Sequence, residues 1–342
     1  MRLFFQSLMR HFAWWIASLG PGRHEGAPLG GRRLLFLLLF YPAFLLLQLW
    51  HWLGLLCDEI FFAGYRKVAI KDPVFVLGIP RSGTTFLHRT LAEDRAQFTA
   101  FSTWEAILAP SITERKLLRL LKSIDRALGA PLLRLTNRIL GSASGDLEKI
   151  HPIGLGEPEE DYLSLLPVGG CLIMLLAFPF SAQLRQLARL DAMPAKEREN
   201  LLHFYKRALQ RHLYCHPGKR LLSKNAAFAS WADALLATFP DARILLCLRE
   251  PVSALSSQLS SLAPARAFFG TDPDGRHTAR LFTEIYAHSY RSLARFVQSS
   301  EPQQVALIEQ SAMKAAPRES IAAALRQLKL DARAPLETLQ PA

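Results

Sequence analysis

The clearest chemical signature in the chain is Gly78-Ile79-Pro80-Arg81-Ser82-Gly83-Thr84-Thr85, which follows the apolar run Val74–Leu77. Glycines at this spacing let a backbone turn sharply, so that successive N–H groups converge at the start of the next helix, where the partial positive charge favours a phosphate. The spacing matches a phosphate-binding loop with one informative departure. Thr84 stands where a nucleoside-triphosphate enzyme places the lysine that reaches the outer phosphates. Arg81, inside the loop, instead offers a fixed cationic fork suited to a group carried beside a single 5′-phosphate. The alternative is a strand–turn–helix corner that uses its glycines only for packing.

Three other stretches carry chemistry-bearing residues. Leu246-Cys247-Leu248-Arg249-Glu250-Pro251 reads as the end of a buried strand, with Ser257 eight residues after Arg249. That spacing puts an arginine at a strand end and a serine one to two helical turns on, able to meet at one dianion. Leu222-Ser223-Lys224-Asn225-Ala226 offers a lysine. His151-Pro152-Ile153-Gly154-Leu155-Gly156-Glu157-Pro158-Glu159-Glu160-Asp161 is turn-rich and acidic, and its carboxylates also suit a solvated or helix-capping face. His212 and His216 are four residues apart, but the second sits in His-Pro-Gly and no neighbouring carboxylate joins them, so no metal site is expected.

Taken together, PRSGTT followed by FLHRTLAED resembles the 5′-phosphosulfate loop of sulfotransferases that use 3′-phosphoadenosine-5′-phosphosulfate (PAPS), and the resemblance runs from about Asp72 to Leu330. It implies that Arg81, Ser82, Gly83, Thr84 and Thr85 hold the 5′ end of the donor. Arg249 and Ser257 would hold its 3′-phosphate. Glu250 replaces the family's usual aspartate, and Ser257 is chosen among Ser253, Ser256 and Ser260 by spacing alone. The resemblance places Lys224 near the leaving oxygen, while Ala226 occupies the position of the catalytic histidine of some cytosolic members. Alanine moves no proton, so the base must lie elsewhere. Glu105, in Ser102-Thr103-Trp104-Glu105, is the first choice, because a subset of the family has a catalytic glutamate in the equivalent segment. His151 and Glu160 follow. The acidic stretch is similar to that of a bacterial-type branch.

Alternating strand and helix signals, with strands at Val74–Leu77, Arg243–Leu248 and Val305–Ile308, imply an α/β fold. The expected architecture has three layers, a mostly parallel sheet with helices on both faces, as in P-loop nucleotide-binding proteins. Residues 73–342 would form this domain and residues 1–72 an apolar N-terminal helical segment. Leu34–Cys57 contains no Asp, Glu, Lys or Arg and is long enough to cross a bilayer, although Pro42 should kink it. Leu3, Phe4, Leu8, Phe12, Trp15 and Leu19 recur at helical spacing beside Arg2 and Arg10, as in an interfacial helix. Membrane contact through residues 1–60 is therefore expected, with packing on the protein's own core as the alternative and a cytoplasmic, membrane-face location.

Of 342 residues, 50% are hydrophobic and 20% charged, which excludes a mainly disordered chain. Four dispersed cysteines exclude a disulfide scaffold. A net charge of +12 calls for anionic partners. The basic residues are dispersed without a nucleic-acid-binding motif, so nucleic acid is not among them. The expected activity is transfer of a sulfuryl group from PAPS to a hydroxyl on a small molecule, lipid or glycan. A P-loop kinase and an inactive, membrane-associated PAP-binding adaptor are the competing readings.

Overall fold

The computed structural model describes residues 2–20, 25–131, 134, 155–331 and 336. Five parallel strands form the central sheet: β1 (Val74–Gly78), β2 (Phe98–Thr99), β3 (Arg220–Asn225), β4 (Arg243–Leu248) and β5 (Val305–Glu309), in the order β2-β3-β1-β4-β5. β1 and β4 are apolar along nearly their whole length because both faces of the sheet are covered. Side chains alternate between two cores. Phe75, Leu77, Ile244 and Leu246 enter one, and Val74, Val76, Leu245 and Cys247 enter the other. The three-layer α/β arrangement expected from the alternation of signals is thus observed.

The helices used below are α1 (Arg2–Leu19), α2 (Gly31–Phe61), α3 (Thr84–Ala92), α4 (Thr103–Ile107), α5 (Ile112–Ala127), α6 (Ala195–Cys215), α7 (Pro251–Phe269), α8 (Arg276–Ser299) and α9 (Pro317–Gln327). α3 and α9 cover the second core, with Leu87, Leu91, Ile321 and Leu325 buried there. The first core is larger and joins the N-terminal helices to the rest: Trp14, Phe36, Tyr41 and Leu45 share it with Phe75, Phe178 and Tyr205.

Pro42 does not break α2. Its missing N–H is accommodated by a π-helical turn over Phe36–Phe40, after which the α-helix runs on to Phe61. The helix is long and apolar enough to cross a membrane by length and composition. One flank nevertheless carries polar groups into the protein. His51 Nδ1 meets Glu114 Oε1 at 2.6 Å, and both side chains are buried. Asp58 accepts from the amides of Ile112 and Thr113 at 2.9 and 2.8 Å, capping α5, and pairs with Arg211 Nε of α6 at 3.0 Å. Arg33, in the first turn of α2, is buried; it donates to the carbonyl of Ala177 at 2.7 Å and to Ser18 Oγ at 2.9 Å. The opposite flank of α2 is apolar and exposed at Leu46, Leu53, Leu56 and Ile60, and α1 exposes Phe5, Met9 and Ile16.

Asp58→Ala takes one of the two carboxylate partners of the buried Arg211 and leaves the amides of Ile112 and Thr113 without their acceptor. It should lower unfolding stability by about 2 kcal/mol or more in urea denaturation. Ile60→Ala, on the exposed flank, should change it by less than about 0.5 kcal/mol. Equal effects would mean that α2 is not anchored through its polar side.

Candidate active site

The sheet order puts β1 between β3 and β4, with all three strands running the same way, so their carboxyl ends converge. Lys224 of β3 is in register with Val76, and Gly78 with Cys247 of β4. The chain leaves β1 toward β3 and β2, and later crosses back to β4. This is the reversal point at which open α/β sheets bind ligands.

The loop between β1 and α3 is shaped by backbone constraints. Gly78 (φ 153°) lies against β4 so closely that a Cβ would come within 2.2 Å of the carbonyl oxygen of Cys247. Gly83 (φ 90°) precedes α3, and a Cβ there would meet Met313 Cε at 2.4 Å. Between them Arg81 takes φ 70°, a left-handed conformation that costs free energy in a residue with a side chain. Its carbonyl is held in place by donors from Arg249 Nη1 at 3.1 Å and Gln310 Nε2 at 3.4 Å. The first-turn amides of α3 have no carbonyl one turn earlier to bond, so they remain donors for an anion.

The second group of candidate anion-holding residues lies beside the first. Arg81 Nε donates to Ser257 Oγ at 3.1 Å, so the loop arginine and the serine chosen by spacing are direct neighbours. Glu250 caps α7, accepting from the amides of Val252 and Ser253 at 2.9 and 2.7 Å, and Pro251 starts the helix. That cap fixes the turn on which Arg249 leaves β4. Two tyrosines on one face of α8 support both groups: Tyr286 donates to the carbonyl of Pro80 at 3.2 Å and Tyr290 to the carbonyl of Arg249. Sequence reasoning missed them, although their spacing of four residues in a helix was a readable signal.

Lys224 reaches the loop from β3. Its Nζ lies 3.3 Å from Thr85 Oγ1 and 3.1 Å from both Glu159 Oε1 and Glu160 Oε1. Burial disfavours the ammonium, but Glu160 and Glu159 outweigh it and raise the Lys224 pKa above its ordinary value. Burial also opposes ionisation of Glu159, yet Lys224 more than offsets it and the carboxyl titrates low. At Glu160 burial wins, with repulsion from Glu159 adding to it, and the pKa is raised. His88, fully buried beneath Lys224's charge, is pushed down to about 3 by burial and stays neutral.

The acidic segment is pinned by Asp161. Its carboxylate accepts from Tyr205 Oη at 3.0 Å and from Asn225 Nδ2, whose Oδ1 in turn accepts the amide of Tyr162 at 3.0 Å. Burial raises the Asp161 carboxyl to about 6 despite hydrogen bonds from Asn225, Ser223 and Tyr205. Asp161 and Asn225 therefore set the position of Glu160 against Lys224.

Two expected participants are engaged by neighbouring groups of the protein. The hydroxyl of Ser82 is buried under the loop and its amide donates to the carbonyl of Ile79 at 3.1 Å, so neither group points outward. Glu105 does not join the Lys224 cluster. Its carboxylate closes a capping box with Ser102 at the start of α4 and lies 3.5 Å from the buried Arg115. His151 falls outside the described residues.

Glu105 also corrects the expectation that no carboxylate supports the two histidines: tertiary packing brings it to His212 and His216, with ligand atoms within 4.8 Å of one another. Arg115 Nη1, however, donates to His212 Nδ1 at 3.2 Å, which leaves Nε2–H to donate to Thr99 Oγ1 at 2.9 Å. Burial and the Arg115 charge lower the His212 pKa. A guanidinium already supplies the positive charge in this corner, so the cluster fits a structural network better than a metal centre.

A family model described as the sulfotransferase family matches residues 73–163 and 176–334. Among solved structures, sulfotransferase STF9 from Mycobacterium avium matches with a TM-score of 0.74 at 17% identity, over 98% of this chain and 85% of that chain. Sulfotransferase STF1 from Mycobacterium tuberculosis H37Rv matches with a TM-score of 0.63 at 18% identity, over 98% and 88%. At such identities these likenesses describe the fold, and the coverage reaches into α1 and α2. A search of curated proteins returned no match. The family match spans well over half of the sequence, and the chain belongs to the sulfotransferase family.

Proposed function

We propose that the protein transfers a sulfuryl group from PAPS to a hydroxyl acceptor and releases PAP. The observation that carries this reading is the contact between the two anion-holding groups, Arg81 with Ser257 and Arg249 with the loop backbone, across the carboxyl end of β1. One bisphosphorylated nucleotide can be gripped at both phosphates there, with Lys224 over the 5′ side. PAPS supplies an activated sulfur as substrate.

In this reading the acceptor oxygen attacks sulfur in line and forms a new S–O bond while the bond to the 5′-phosphate oxygen breaks. The electron pair goes to that oxygen, and positive charge placed beside it lowers the barrier. Arg81, Lys224 and the first-turn amides of α3 are the groups in reach of it. The acceptor proton passes to a base. We assign that role to Glu160 in place of Glu105, because Glu160 sits beside Lys224 with a raised pKa and Glu105 is committed to its cap and to Arg115.

The acceptor class is tied to the exposed apolar flank of α1 and α2. One side of the hairpin is sealed in the core, which argues against a free span and for a hairpin lying in the membrane interface. The acceptor would then be a hydroxyl-bearing amphiphile met at the lipid surface.

Arg249→Ala should weaken PAP by about tenfold or more in calorimetry, because it removes a charge-assisted bond to a dianion. ATP should bind the unmodified protein more weakly than PAP; tighter ATP binding would favour a kinase. Glu160→Gln should retain PAP affinity and abolish sulfuryl transfer. In the unmodified protein, turnover should fall as pH drops through the raised Glu160 pKa, since a base must be deprotonated. An acid limb at or below the ordinary glutamate value of 4.5 would move the base elsewhere. Leu46→Glu with Ile60→Glu should abolish co-flotation with anionic vesicles and leave PAP affinity unchanged. Undiminished flotation would refute the interfacial placement.

A further inference from the structure

We infer that the cavity between α1, α2 and α6 is a binding site for one acyl chain carrying an anionic headgroup. Its volume is about 680 Å³, within the range of small-ligand pockets. Leu3 and Phe4 of α1, Trp52, Leu53 and Leu56 of α2, and Phe204 of α6 form apolar walls. Another part of the lining has a different character and carries Glu59, Arg66, Arg207 and Arg211.

The charges there do not cancel. Arg211 is paired with Asp58 at 3.0 Å and Glu59 at 2.7 Å, and Arg66 is paired with Glu59. Arg207 has no carboxylate within ion-pair distance among the described residues; it donates to Gln210 Oε1 at 3.0 Å and to the carbonyl of Arg66 at 3.5 Å. Three guanidiniums thus face two carboxylates at the edge of an apolar chamber. An apolar chain ending in a carboxylate or monophosphate matches both parts, and a neutral chain leaves Arg207 uncompensated.

The chamber also has a route of supply. Leu53 and Leu56 line it while remaining 51% and 50% exposed on the outer flank of α2. A chain leaving a bilayer held against that flank enters between apolar walls without crossing water. The site is separate from the sulfuryl-transfer site: Arg207 faces the cavity, and Tyr205 of the same helix turns its hydroxyl to Asp161. Its test therefore needs neither donor nor turnover.

Energy transfer from tryptophan to cis-parinarate, a fluorescent fatty acid, reads the occupancy of the full-length protein directly, with Trp52 in the cavity wall as the near donor. Saturable binding of one chain per protein is expected. Oleate and lysophosphatidate should both displace the probe, and oleyl alcohol should not. Arg207→Gln should weaken binding by about tenfold or more, and Leu53→Trp, which narrows the chamber, should weaken it as well. Both variants should keep the PAP affinity of the unmodified protein, which reports that they are folded. The inference is overturned by non-saturable transfer, by equal displacement with oleyl alcohol, or by unchanged binding in the two folded variants.

Discussion

Because β1 runs parallel between β3 and β4, three strand ends deliver a lysine, a glycine-hinged loop and an arginine to one edge of the sheet. The candidate active site follows from that pairing. Antiparallel pairing of either neighbour would send Lys224 or Arg249 to the opposite edge. The hydrogen-bond register of a parallel ladder therefore does the positioning, and the side chains need only short reaches. The buried apolar faces of β1 and β4 hold the register, since slipping by one residue would exchange the two cores.

The second organising feature is how the N-terminal helices are fastened. Apolar contact alone would let α2 slide on the core, because dispersion and burial are not directional. Asp58, His51 and Arg33 supply direction, each using charge-assisted bonds inside the protein. The fastening leaves the other flank free to stay apolar. A helix that reads along its sequence as a span is thereby divided lengthwise into a polar-anchored side and a lipid-like side.

Much of this was legible in the sequence. The strands at Val74, Arg243 and Val305 announced themselves as short apolar runs next to turn residues, and the phosphate loop by its glycines. Ser257 was singled out by family spacing as a partner of Arg249; its hydrogen bond to Arg81 was not legible, because the loop after β1 and α7 meet only in the fold. What stayed hidden depends on tertiary packing. Arg220–Asn225 contains Arg, Ser, Lys and Asn, so its strand character comes from being sandwiched between β1 and β2 and not from its composition. Glu105 looked available because nothing nearby in the chain neutralises it, but Arg115 and His212 arrive from α5 and α6. The capping box was readable, since Ser102 and Glu105 stand three residues apart before a helix. The burial of Arg33 was hidden as well, because its acceptors, Ala177 and Ser18, come from other segments.

One feature of α8 reaches beyond local support. Tyr286 and Tyr290 lie one turn apart and grip, respectively, the loop after β1 and the end of β4. Any displacement of that helix carries both grips with it, so the interval between them is conserved even when the surroundings breathe. The protein in effect holds a fixed calliper, set by the 3.6-residue turn of a helix. Under the proposed function, that interval would select nucleotides by the spacing of their two anionic groups before any base or sugar contact is made.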